Sequence, residues 1–334
     1  MIERNLTISN PYVKKGMGLR KNKIILILKR ESLCESRCSA LKSFFKSKAV
    51  VLVGLRKIEV REFDVPEVKP KDLLIKVELS GICGTDIHMI YSKKPFPERP
   101  HLYPQILGHE TVGTIVKMGS EAPRFDATGR PLKIGDRITL LSGRAEEANP
   151  FLYGWGRGWA TYRYIHGETA RIYKISEKIS PEVGILIEPM SVAVKAVERA
   201  LEPTSPVDMR GMGPGKTVVV QGSGPIGLMV TIVAKLCGAS EIVVLGAPEM
   251  RLKMCKEFGA DHTINIEEVR SSKERVAKVK ELIPEGADVV FEAAGVPQAF
   301  AEGIEMVRIG GVYVEIGHFT DRGVIPINPY ILCR

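Results

Sequence analysis

Val218-Val219-Val220-Gln221-Gly222-Ser223-Gly224-Pro225-Ile226-Gly227 is the stretch on which the fold turns. Consecutive valines predict a strand buried on both faces. The G-x-G-x-x-G that follows predicts a tight turn into a helix. Gly222 allows the turn, Gly224 lets the backbone approach a pyrophosphate, and Gly227 lets helix and strand pack closely. Pro225 and Ile226 open the helix, whose N-terminus offers positive dipole to a phosphate. A lone G-x-G-x-x-G is weak evidence, but the strand–turn–helix setting makes it specific for a dinucleotide. A turn without a ligand is the bland alternative.

Strand and helix alternate on either side of this stretch. Downstream, strands are expected at Ile242–Leu245, Asp288–Phe291 and Val312–Ile316. Helices are expected at Pro225–Leu236, Glu249–Phe258, Ser272–Leu282 and Ala299–Val307. Val/Ile strands between helices predict a doubly wound parallel sheet, hence an α/β fold. Upstream lies a helix, Glu188–Ala200, and then a Pro/Gly-rich stretch, Glu202–Gly215. Before it come short strands at Ala49–Gly54, Ile58–Phe63, Leu73–Leu79, Thr111–Lys117, Arg137–Leu141, Thr161–Ile165 and Arg171–Ile175. So many short strands predict a compact β-rich domain. The expected division is a basic extension over 1–47, a β-rich domain over 48–190, the dinucleotide-binding domain over 191–320, and a return segment over 321–334.

A site for NAD expects an acid at the end of the second strand, about 20 residues on, to hold the ribose 2′-hydroxyl. Here that strand ends in Gly246, and Arg251 follows five residues later. Without the carboxylate a 2′-phosphate is not repelled, and an Arg can pair with it. The reading therefore leans to NADP within NAD(P), against the alternative that Arg251 points into solvent and NAD binds.

A second group of residues carries metal chemistry. Gly81-Ile82-Cys83-Gly84-Thr85-Asp86-Ile87-His88 is followed, 26 residues after Cys83, by His109 and Glu110, and far along by Glu188-Pro189. A thiolate, an imidazole and carboxylates suit Zn²⁺, and three or four around an open position make a catalytic site. Spacing alone leaves a second reading open, in which Cys83 is a core thiol and His109 a satisfied turn residue.

Together GICGTDIH, LGHETVG, KIGDRI, LIEPMSVA, VVVQGSGPIGL and VVFEAAG, in that order, resemble the zinc-dependent medium-chain dehydrogenases over residues 48–334. Within that family the sequence is most similar to the polyol, threonine and secondary-alcohol branches. The resemblance implies a GroES-like fold for the β-rich domain and a Rossmann fold for the other. It implies a zinc-dependent oxidoreductase passing a hydride between an alcohol or polyol, or an amino alcohol such as threonine, and NAD(P). It makes Cys83 and His109 zinc ligands, Glu110 a ligand or direct neighbour, and Glu188 an exchangeable ligand alternating with water. It gives Thr85 a hydrogen bond to the alcohol oxygen, His88 the passage of the proton to solvent, and Asp86 the support of the metal shell. Members form homodimers or homotetramers.

The sequence departs from the family in two places. Many members carry a structural zinc on a lobe of four Cys, but Leu141–Ala160 contains none, so one catalytic zinc and no structural zinc is expected. Gly143–Gly158 reads as a shortened replacement loop. Its aromatic residues Tyr153, Trp155 and neighbouring Trp159 either line a substrate cleft or pack on their own domain. Members also continue some tens of residues past Ile331-Leu332-Cys333-Arg334. The expectation is a C-terminally truncated chain with an exposed sheet edge, which could prevent oligomerisation. An inactive remnant of the fold is the alternative reading.

Composition narrows the remaining classes. The chain has 334 residues, 44% apolar and 26% charged, which fits about two soluble globular domains. No apolar run approaches the ~18 residues of a membrane span. The net charge of +9 sits in the first 50 residues, which hold 12 Lys/Arg and three acids. The remainder is neutral, so neither a nucleic-acid nor a membrane partner is expected of the main body. A basic, acid-poor leader has the character of a transit peptide, and an upstream start codon is the alternative. Cys34 and Cys38 lack a second pair to complete a metal site, and Cys237 and Cys255 fall on apolar helix faces. Six cysteines without framework spacing fit a reducing cytoplasm.

Overall fold

The computed structural model describes residues 46–92, 103–141, 157–201, 211–317 and 323–332. Cys34, Cys38, Tyr153, Trp155 and Cys333 lie outside the described residues.

Two small antiparallel sheets open the structure. β1 (Lys46–Gly54) pairs on one edge with β2 (Lys57–Asp64). β3 (Leu73–Ser80) leads into helix α1 (Gly84–Tyr91), and the short β4 (Gln105–Ile106) pairs with the other edge of β1. β5 (Thr111–Met118), β6 (Arg137–Leu141), β7 (Tyr162–Ile165) and β8 (Arg171–Lys174) join β3 in the order β7-β3-β5-β6-β8. The sheets bury Val51, Leu52, Leu74, Ile106, Trp159 and Tyr164 in one cluster. Leu73, Ile75, Ile115, Ile138 and Ile172 form another. Leu74 and Ile75 enter different clusters, as the period-2 pleat requires.

A short helix, α2 (Pro181–Gly184), and the longer α3 (Ile187–Leu201) lead to the second half. There β9 (Thr217–Gln221), α4 (Pro225–Leu236), β10 (Glu241–Gly246), α5 (Glu249–Glu257), β11 (His262–Asn265) and α6 (Ser272–Leu282) alternate. β12 (Ala287–Glu292), α7 (Pro297–Met306) and β13 (Val307–Glu315) complete the sheet, and α8 (Pro329–Leu332) follows. The strands are parallel in the order β11-β10-β9-β12-β13, so the order reverses between β9 and β12. That reversal is where dinucleotides bind in this architecture. Val218 and Val220 pack against the α3, α4 and α5 side, while Val219 enters the cluster with α6 and Met306. All three valines are fully buried. At roughly 1.5–3 kcal/mol per buried Val-sized side chain, this strand alone is a large stabilising element.

The expected strands and helices are all present, with shifted ends, and the short β4, α2 and α8 add to them without having been expected. β11 was not expected; it is a four-residue edge strand with only Ile264 buried, too little for a pattern to show. α1 also escaped the reading, because its eight residues mix Gly, Thr and Asp with the apolar positions. The helix expected over Ala299–Val307 ends at Met306 instead, and Val307 already pairs with Ala287 as the start of β13. Among the described residues no helix is long and apolar enough to cross a membrane.

Candidate active site

The register of β3 and β5 builds the first half of the site. Ser80, the last residue of β3, pairs with Thr111, the first of β5. The ladder runs one step further, with Gly81 N donating to Glu110 O at 2.9 Å. Residues just after β3 and just before β5 must therefore meet at the same end of the sheet. Cys83 is the N-cap of α1, and His109 and Glu110 precede β5. Ligand atoms of Cys83, His109 and Glu110 lie within 4.8 Å of one another.

Asp86 ties this group together. It is fully buried, and its Oδ2 accepts from the Cys83 backbone N–H at 2.8 Å. Its Oδ1 accepts from Gly108 N at 3.4 Å and lies 3.7 Å from His109 Nδ1. One carboxylate thus caps α1 at its N3 position and orients the imidazole of the other loop. With Nδ1 turned to Asp86, Nε2 is the nitrogen available to a metal. Burial opposes the charged form of His109, but the hydrogen bonds and charges of Asp86 and Cys83 outweigh it and push its pKa up to about 10.

Glycines shape the same pocket. A Cβ on Gly81 would overlap the Glu110 carboxylate, so only glycine leaves room for that side chain. Gly108 has φ +91°, a conformation that L side chains rarely adopt. A Cβ there would also overlap the Trp159 indole. Trp159 is buried and donates from Nε1 to Gly81 O at 3.1 Å. Of the two readings of this residue, packing on its own domain is the one observed.

The donor set fits zinc, with sulfur, imidazole nitrogen and carboxylate oxygen gathered and the His backed by a carboxylate. Thr85 Oγ1 lies 3.8 Å from Cys83 Sγ on the first turn of α1, and His88 follows on its last turn. Glu188 stands on the first turn of α3, half-buried, outside the group of three. Sequence reasoning missed Gly81, Ser80 and Trp159 as parts of this pocket. Gly81 opens the GICGTDIH stretch, but nothing local says what its missing side chain would meet.

The glycine turn forms the second half. Gly222 has φ +107°, and a Cβ on it would come within 2.8 Å of the Ala293–Ala294 backbone, beyond β12. Gly227 lies so close to Gly222 O that any side chain would overlap it. Gly224 is different. A Cβ there meets nothing within 4 Å, and Pro225 and Ile226 open α4 directly behind it. Tight packing at the first and third glycines with open space at the second fits a pyrophosphate cradle. Gly246 ends β10 against Ser223, where a Cβ would overlap the Ser223 side chain. Arg251 is half-buried on the first turn of α5.

Comparison with known proteins places both halves in one family. The family model of an alcohol dehydrogenase GroES-like domain matches residues 69–177, and that of a zinc-binding dehydrogenase matches residues 225–334. The chain is 32% identical over 300 residues to a sorbitol dehydrogenase of Bacillus subtilis, covering 85% of this chain and 78% of the relative. It is 32% identical over 294 residues to a probable D-xylulose reductase A of Aspergillus fumigatus, covering 83% and 77%. An alcohol dehydrogenase from Thermotoga maritima superposes with a TM-score of 0.72 at 28% identity, covering 86% of this chain and 81% of that one. A zinc-binding dehydrogenase from Sinorhizobium meliloti, solved bound to NADP, gives 0.69 at 28% identity, covering 86% and 82%.

Proposed function

The chain belongs to the zinc-dependent medium-chain alcohol and polyol dehydrogenases, and on that premise we propose that it passes a hydride between the CH–OH group of a small alcohol or polyol and NAD(P). The observation that carries the reading is the gathering of Cys83, His109 and Glu110 within 4.8 Å, in a chain that also builds a dinucleotide turn. The sorbitol and xylulose names of its relatives support a polyol as the substrate class.

Cys83, His109 and Glu110 would hold the zinc, and the family resemblance makes Glu188, on the first turn of α3, the exchangeable ligand. Zinc, when bound, supplies Lewis-acid polarisation of the alcohol oxygen. Thr85 hydrogen-bonds that oxygen, and His88 takes the hydroxyl proton on to solvent. The oxidised cofactor, when bound, would supply the hydride acceptor, so that the alcohol goes to a carbonyl with release of one proton. Asp86 keeps both ligand loops in register throughout. Gly222, Gly224, Pro225, Ile226 and Gly227 seat the pyrophosphate.

Two finer points belong to this reading. A single catalytic zinc is supported by the absence of Cys from Leu141–Ala160. A lean to NADP is supported by Gly246 in place of an acid, by Arg251 nearby, and by the NADP-bound relative.

Zinc per chain by elemental analysis after dialysis tests the metal reading. Cofactor absorbance across a panel of alcohols and polyols tests the reaction. The expected result is a ratio near one with cofactor reduction by a polyol. A ratio near zero, or full activity in Cys83→Ala, refutes it.

A further inference from the structure

Trp159 touches both loops that carry the metal-ligating group. Its indole Nε1 donates to Gly81 O at 3.1 Å, two residues before Cys83. Its ring lies against Gly108, one residue before His109, so closely that a Cβ on Gly108 would overlap it. Its backbone is fixed from both sides. Trp159 N donates to Leu107 O at 3.0 Å, and its carbonyl accepts from Val50 N at 2.8 Å. Gly158 N donates to Gly108 O at 2.7 Å. A buried ring with an anchored backbone has few alternative positions, so it passes that rigidity on to what it touches.

We propose that Trp159 is a positioning residue for the zinc centre, holding the Cys83 loop and the His109–Glu110 loop at their working separation. Ser80 completes the clamp from β3, where its buried hydroxyl donates to Glu110 O at 3.0 Å. The three candidate ligands come from two loops, and His109 follows Cys83 by 26 positions along the chain. Their separation is therefore set by what spans the loops. Asp86 spans them on one side of the pocket and Trp159 does so through the indole. The inference rests on the reading that Cys83, His109 and Glu110 bind zinc.

The test is the rate at which zinc passes from the loaded protein to a chromogenic chelator. Trp159→Phe keeps an aromatic ring and removes the N–H that reaches Gly81 O. Zinc release is expected to quicken by about 10–100-fold, the range for losing an outer-shell partner. Melting is measured on zinc-loaded and zinc-stripped protein in parallel. A positioning role narrows the gap between the two melting temperatures. A merely structural role lowers both equally and leaves release at the wild-type rate, and that result overturns the proposal. Ser80→Ala removes a hydroxyl and no ring, so it gives the same reading if Trp159→Phe folds poorly, with faster release expected. Wild-type release rates in Ser80→Ala and in any folded Trp159→Phe also overturn it. A wild-type chain that binds no zinc fails the metal reading itself, which distinguishes the two failures.

Discussion

Gly81 and Gly84 stand three residues apart on either side of Cys83, and the same substitution should act oppositely at the two. A Cβ on Gly81 would overlap the Glu110 carboxylate and lie 3.0 Å from Glu110 Cβ and 3.1 Å from Cδ. Glu110 is 4% exposed, so its side chain has no open route away. The loop ahead of β5 must shift to relieve the contact. Overpacking of this kind costs about 1–3 kcal/mol of stability. The shift also withdraws one of three gathered ligand groups. A loss of at least 10–100-fold in zinc affinity is expected, which is about 1.4–2.7 kcal/mol. On Gly84 a Cβ meets nothing within 4 Å, and the residue is the first of α1. Gly84→Ala should stabilise by up to about 0.4–1 kcal/mol through the unfolded chain and leave zinc affinity unchanged. Zinc competition against a chelator of known affinity and urea denaturation of both variants provide the measurements. Wild-type zinc affinity in Gly81→Ala would refute the assignment of Glu110 to the metal pocket.

Three further outcomes follow from the same reasoning. Gly224→Ala should fold normally, since Gly224 has φ −75° and open space, yet weaken NAD(P) binding at least 10-fold by calorimetry; unchanged binding would move the pyrophosphate elsewhere. Asp126 accepts from the backbone N–H of Thr128, Arg130 and Lys174 at 2.8–2.9 Å. Burial raises its pKa, but these bonds prevail and hold the carboxyl well below the usual range. Its stabilisation is present at neutral pH and lost in strong acid, so Asp126→Ala should cost roughly 3 kcal/mol at pH 7 by denaturation; a loss under 1 kcal/mol would contradict this. Burial, and then the hydrogen bond and charge of Glu315, push Glu292 up to about 8. A raised pKa means the folded state binds the extra proton, so stability should fall as pH rises from about 5 towards 8. Glu315→Gln should flatten that slope, and a wild-type chain with level stability across the window would refute it.

The dinucleotide half was largely legible in the sequence because its signals are local. Val218–Val220 announce a strand buried on both faces, and the glycines after it define a turn within a few residues. The helices α4, α5 and α6 carry enough turns for their periodicity to show. β11 and α1 were not legible, since one is a half-exposed edge and the other is short. At Val307 the pairing with Ala287 overrode a helical pattern that the sequence continues. The candidate metal-binding residues were legible as residue types, and the resemblance proposed their roles. Their support was not, because Trp159 meets Gly81 across 78 residues.

Sequence alone therefore determined the chemistry available to this protein. It placed a thiol, an imidazole and carboxylates in one half and a glycine-rich turn suited to a phosphate in the other. Whether those groups meet was decided by tertiary structure. The antiparallel pairing of Ser80 with Thr111 brings Cys83 to His109 and Glu110, and Asp86 and Trp159 each touch both loops. Strand pairing links residues by hydrogen bonds between distant segments, and no local pattern in either segment records its partner.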